Sequence, residues 1–168
     1  DIDREDENEI FAELPNKTYN YQNFCTYIKT KIGIIILYTS RHVQFIRKFL
    51  IEISKNDNLM KLLKKKCCVF PLLANTNEGY AIKNIISENQ FLCPVFDFCH
   101  KTSEIDTDNQ YILSRNDILS ILEGNYVSSS SFENKIKECI DNYVLNNNFD
   151  MPLTDGEVLE QQKLDMEA

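Results

Sequence analysis

The sequence predicts an α/β domain: a mixed sheet of about four strands with helices packed against it. Three observations predict it. Ile32–Tyr38 (IGIIILY) is an unbroken apolar, β-branched run, the pattern of a strand buried on both faces. Cys67 to His100 holds two strand-like runs, Cys67–Leu73 and Pro94–Phe98, separated by a segment with helical period. Asp117–Glu123 returns as a strand and pairs with Pro94–Cys99 as a hairpin. The expected order is 67–73, 32–38, 94–99, 117–123. Strand 32–38 is expected to run parallel to both of its neighbours, with the last pair antiparallel and the parallel crossover right-handed.

Taken in order, residues 1–9 are too acidic and too poor in apolar groups to pack, so 1–15 reads as an acidic linker. Thr18–Lys31 is the first helix, capped by Thr18, with Tyr21, Phe24 and Ile28 at helical spacing. His42–Ile53 is amphipathic, with Val43, Ile46, Phe49, Leu50 and Ile53 on one side and Arg47 and Lys48 off that stripe. Asp57–Lys66 turns Leu59, Leu62 and Leu63 inward and Lys61, Lys64, Lys65 and Lys66 outward.

In the strand–helix–strand unit, the Asn75–Tyr80 turn (NTNEGY) places asparagines and Gly79 where backbone angles unsuited to other residues are expected. The helix after it, about 11 residues long, is expected to present Tyr80, Ile82, Ile85 and Ile86 to the core. Pro71 marks the first strand as an edge or a bulge. Pro94 at the mouth of the second strand is a structural cis-proline candidate. Lys101–Gln110 reads as a loop. Ser130 and Glu133 form a capping box that opens a helix with Phe132, Ile136, Cys139, Ile140, Tyr143 and Val144 on one face. Residues 149–168 are a spacer and the start of a further helix.

Composition narrows the classes. No apolar run approaches the roughly 18–20 residues needed to cross a bilayer. The acidic opening is unlike a secretory leader, although an anchor upstream of the chain is compatible with the sequence. The net charge is −8, but residues 1–9 and 150–168 together carry −10 and the middle carries +2. A folded part so weakly basic argues against a nucleic-acid module. None of the six cysteines is spaced C-x-x-C, and most lie in apolar context. Free thiols in a reducing compartment follow. The sequon Asn16-Lys17-Thr18 is then expected to remain unused.

Several motifs resemble one family. NTNEGYAIKNIISENQFLCP is similar to the centre of the thioredoxin-like UAS domain of FAS-associated factors and UBX-domain adaptors, where an N–EGY turn, an E–N pair and a proline recur. Thr18-Tyr19 resembles that domain's opening, although Lys17 stands where the family has glycine. Leu122-Glu123-Gly124 resembles the end of its last strand, and Glu160-Gln161-Gln162 the helix that leads to a C-terminal UBX domain. The resemblance implies a thioredoxin-like fold over 16–148. It also implies a non-catalytic adaptor of the ATPase p97/Cdc48 that handles ubiquitinated clients, including in ER-associated degradation. Long-chain fatty-acid binding, self-association and a cytoplasmic location, at the cytosolic face of the endoplasmic reticulum, belong to the same implication.

The candidate sites are few. A redox thioredoxin carries its cysteine pair after the central strand, whereas this chain reads Tyr38-Thr39-Ser40-Arg41-His42-Val43. Thiol–disulfide exchange has no nucleophile there. The alternative function is a thioredoxin-like redox protein using a single cysteine, Cys93 or Cys25. His42 with Arg41 is read either as a base or anion contact, or as an exposed helix start. The basic set Arg41, Arg47, Lys48, Lys61, Lys64, Lys65 and Lys66 is either a solvated face or a ligand-binding face for carboxylates. Cys67, Cys68, Cys93, Cys99 and His100 alternate along strands instead of converging from turns, so no metal and no cofactor are expected.

Overall fold

The structure is a computed structural model and describes residues 2–86, 91–101 and 112–147. Its elements are α1 (Arg4–Ile10), α2 (Tyr21–Tyr27), β1 (Ile32–Tyr38), α3 (Val43–Ser54), α4 (Asp57–Lys66), β2 (Cys67–Leu73), α5 (Asn77–Ile86), β3 (Val95–Cys99), β4 (Ile118–Glu123) and α6 (Ser129–Asn147). The four strands form one mixed sheet in the order β2-β1-β3-β4, as expected. Every residue of β1 is buried, and β1 is interior to the sheet.

One direction differs from expectation. β1 is parallel to β2 but antiparallel to β3, with Leu37 opposite Val95 and Gly33 opposite Cys99. The cause is the path before β3. The Phe91 ring lies 5.1 Å from His42, which follows the C-terminal end of β1. The chain has therefore already returned to that end when β3 begins, and β3 must run downward.

The two faces of the sheet carry separate cores. α1, α3, α4 and α6 cover one, where Phe132 meets Phe49, Phe96 and Phe98 at 5.2–5.6 Å between ring centroids. α2 and α5 cover the other, built from Phe24, Ile28, Ile35, Phe70 and Ile82. Cys67 and Cys68 point into opposite cores, as strand alternation requires.

The acidic opening is not a linker. Asp3 and Asp6 cap α1 reciprocally, and Ile10, Phe11 and Leu14 enter the core. Glu7 is buried, and its Oε2 accepts a 2.7 Å hydrogen bond from the Tyr38 hydroxyl at the end of β1. Its Oε1 lies 3.3 Å from Arg4 Nε. A buried carboxylate satisfied in this way turns an apparently unfoldable stretch into part of the domain.

Smaller corrections follow from hydrogen bonding. Asn20, not Thr18, caps α2: Asn20 Oδ1 accepts Asn23 N–H at 2.9 Å, while Thr18 Oγ1 accepts the N–H of Asn20 itself, before the helix begins. Asn16, at φ 52°, accepts from Val69 N–H, and its side-chain amide donates to the carbonyls of Leu63, Lys64 and Cys67 at the end of α4. α6 is opened by Ser128 and Ser131 bonding each other's backbone N–H, while Glu133 turns to Lys137 and Asn56. Tyr80 is 55% exposed, so Ile82 carries the inner face of α5. Gly79 does not supply an unusual backbone angle; a Cβ there would lie 2.2 Å from the Leu73 carbonyl oxygen, so α5 packs by close backbone approach.

β2 is an edge strand, as Pro71 suggested. Val69 spends its N–H and C=O on Asn16 and Thr18, away from β1. Two residues on, Pro71 faces the same way, so its missing N–H removes no ladder bond. The stretch read as a spacer and further helix lies outside the described residues.

Candidate functional site

The site begins where β1 ends. Thr39 leaves the sheet, Ser40–His42 form a 3-10 turn and α3 starts at Val43. His42 is not an exposed helix start: it is 5% exposed. Its Nδ1 accepts Thr39 N–H at 3.0 Å and lies 3.3 Å from Thr39 Oγ1. The ring packs on Phe91, whose φ of 49° is unusual for a large side chain. Beyond Phe91, Leu92 is 80% exposed and Cys93 is half-buried, with its thiol donating toward Asn125 Oδ1 at 3.5 Å.

The Cys93–Pro94 bond is trans, which corrects the cis-proline expectation. Trans is the lower-energy form of an X–Pro bond by about 0.5–1 kcal/mol. Pro94 meets its neighbours in that form: its carbonyl accepts Gly124 N–H at 2.7 Å, and its ring lies where a Gly124 Cβ would be.

Burial holds the His42 imidazole below its ordinary pKa, with Arg41 adding to the effect and the Phe91 and Leu92 backbone opposing it. His100 is lowered for the same first reason, against the Ile28 carbonyl, 2.9 Å from its Nδ1, and Asp117. In the unfolded chain both would take up a proton at a higher pH than in the folded one. Their neutral forms therefore favour folding above the ordinary histidine range, and that stability is lost as the pH falls. Thermal unfolding scans should show Tm falling between pH 7 and 5. His42→Gln, which keeps an acceptor for Thr39 N–H, should flatten the fall; an unchanged slope would count against His42 as a contributor.

The thiols are mostly inert. Burial pushes Cys25 and Cys139 up to about 11 and Cys68 up to about 12, and holds Cys67 and Cys99 well above the ordinary thiol range. Among the described residues no group of three or more His, Cys, Asp or Glu side chains is arranged to hold a metal ion.

The basic residues occupy three places. Arg41 is exposed at the turn before α3. Arg47 points to α1, with Nη2 3.5 Å from Glu9 Oε1, while Lys48 is exposed on α3. Lys61 and Lys64 are exposed on α4, and Lys65 and Lys66 are half-buried in its last turn. Cations in a last helical turn are favoured by the helix dipole, which gives three of them a local reason to be there. Arg47 also borders a groove of about 260 Å³ between α1 and α3, with Ile10, Leu50 and Ile51.

Two buried polar links escaped the sequence reading. One is Glu7–Tyr38. The other is Lys101–Asp117, where Nζ and Oδ2 lie 3.2 Å apart and both residues are buried. Neither has a local sequence signal, since each partner is named only by the fold.

Sheet order, strand directions and the turn after β1 define a thioredoxin-like fold. A thioredoxin from Thermus thermophilus superposes with a TM-score of 0.58 at 12% identity, covering 79% of this chain and 93% of that one. Mitochondrial thioredoxin 3 from Saccharomyces cerevisiae, in its oxidized form, gives 0.47 at 12% identity, over 77% and 98%. No family model matches the chain, and no curated protein does. Among the described residues no helix is long and apolar enough to cross a membrane.

Proposed function

We propose that the chain is a non-catalytic thioredoxin-like binding domain, of the UAS kind carried by UBX-type adaptors of p97/Cdc48 in ubiquitin-dependent degradation. One observation carries the non-catalytic part. At the turn after β1, the place of a cysteine pair is filled by Ser40-Arg41-His42, with His42 buried and its Nδ1 engaged by Thr39 N–H. The adaptor part rests on the motifs around Gly79, Pro94 and Gly124, two of which have a packing reason: Gly79 admits the Leu73 carbonyl, and Gly124 admits Pro94. Fold likeness alone says nothing of partners.

An insulin-reduction assay tests the first part, and no turnover is expected. A thiol titration should show Cys93 reacting in the folded protein and the five buried cysteines reacting only on unfolding. Turnover abolished by Cys93→Ser would replace this reading with the single-cysteine redox one. Cys25 is the weaker nucleophile for that alternative, because its thiol is pushed up to about 11.

The same proposal includes binding of long-chain fatty acids, with the α4 lysines meeting the carboxylate, and self-association that the fatty acid promotes. Exposed ion pairs are worth only about 0–1 kcal/mol each, so the lysines must act together. The triple change Lys64→Glu, Lys65→Glu, Lys66→Glu should lower Tm modestly, because it sets three carboxylates at the negative end of the α4 dipole, and should suppress oleate-induced scattering in the still-folded protein. Scattering that persists in the triple variant would assign the lysines to a solvated face.

A further inference from the structure

The sheet has two edges, and they are built differently. At β2, Asn16 and Thr18 cover Val69, and Pro71 removes a donor. At β4, among the described residues, no strand pairs with the outer side. β4 reads ILSILE, without the proline or lysine that commonly keep an edge from pairing; the irregularity at its Ile118 end is the one such device among its described residues. Its side chains are half-buried or exposed throughout, and Leu119 and Ile121 are 37% and 42% exposed.

The ladder fixes which backbone groups face outward. Gly124 N–H bonds the Pro94 carbonyl, and Leu122 and Ser120 stand opposite Phe96 and Phe98. By the antiparallel alternation, these even positions bond β3, which leaves the N–H and C=O of Ile121 and Glu123 directed away from the sheet. Irregular pairing next to Phe98 and Cys99 makes Leu119 an extra residue on β4. The regular outward segment is therefore short: the groups of Ile121 and Glu123 lie within it, and Leu119 stands at its irregular end.

The residues beside it form a groove of about 220 Å³ of mixed character, lined by Ile85, Ile86, Ile118, Leu119 and Ile121 together with Arg115 and Ser120. Arg115 lines this groove just before β4 begins, and Glu123 closes the other end of β4.

We propose that β4 is the interface with a second copy of this chain, formed by antiparallel pairing of the two β4 edges about a two-fold axis at Ile121. On this axis Ile121 faces Ile121 of the other copy and exchanges both backbone hydrogen bonds with it. Leu119 falls opposite the other copy's Glu123, on the same face of the sheet. That carboxylate then lies beside Arg115, which lines the groove with Leu119, and symmetry repeats the contact. No like charges are set opposite each other in this register. A self-complementary strand of this kind closes as a dimer. A short strand edge with one flanking groove is a small contact, so the dimer is a weak one.

Sedimentation velocity on the full chain, from about 10 to 500 μM, should show a reversible monomer–dimer equilibrium. Ile121→Lys places two ammonium groups on the axis and should weaken association by tenfold or more. Ile121→Glu should do the same. Mixing the two variants should restore a heterodimer, because only this register sets residue 121 against itself. Arg115→Glu should weaken the wild-type dimer several-fold. Residue 121 is exposed, so the variants should keep the wild-type unfolding transition. Should either variant misfold, hydrogen exchange on the wild type decides instead: the Ile121 and Glu123 amides should gain protection as concentration rises. A chain that stays monomeric at 500 μM overturns the proposal. So does a dimer indifferent to both variants, a mixture that fails to pair, or amide protection independent of concentration.

Discussion

Asp117→Ala should destabilise the domain by about 3–5 kcal/mol, the range for removing one partner of a buried ion pair. Asp117 Oδ2 lies 3.2 Å from Lys101 Nζ and also accepts Ser114 N–H at 2.9 Å. Truncation leaves the ammonium of Lys101 buried with its carboxylate gone, and frees the turn that leads into β4. The penalty comes from the uncompensated charge more than from the loss of attraction. The double change Asp117→Leu with Lys101→Met should therefore recover most of the loss, because it removes both charges while keeping volume. Urea unfolding of the three proteins measures this; a double variant no more stable than the single one would show that the pair supplies net stability.

Phe132→Ala should cost a similar amount, about 3–5 kcal/mol. Phe132 is 2% exposed and is the first large apolar residue of α6. Its ring meets Phe49 of α3 at 5.2 Å and Phe96 and Phe98 of β3 at 5.6 Å, so it joins α3 and α6 to the sheet at one point. Rigid strands beneath it cannot collapse into the space, and a cavity remains. A Tm only slightly lowered by this change would mean that α6 docks through Ile136, Cys139 and Tyr143 instead.

Much of the fold was legible because burial writes itself into residue type. Ile32–Tyr38 had to be central, since seven successive apolar residues suit only a strand covered on both faces. Pro71 identified an edge through its missing donor. The direction of β3 was not legible, because it depends on where the chain stands at Phe91, which no period reveals. The N-terminal helix was hidden for a different reason. Six acidic side chains dominate residues 1–9, and nothing local distinguishes Glu7, whose partner Tyr38 is 31 residues away.

The candidate site was legible mainly as an absence of thiols. That His42 lies under Phe91 was out of reach, because contact between the turn after β1 and the segment before β3 is created by the sheet. The lysines of α4 were visible as a cluster, while Arg47 was not foreseeable as a partner of Glu9.

Pro71 has a consequence for what the chain does at high concentration. A sheet with two receptive edges adds copies at both ends and grows into a fibre, whereas a sheet with one receptive edge stops at two copies. By withholding a donor from the outer side of β2, next to the bridge made by Lys17 and Val69, Pro71 ends such growth on one flank. The proline thus acts as a chain terminator for assembly: whatever pairs at β4, further strands cannot stack on from the opposite side.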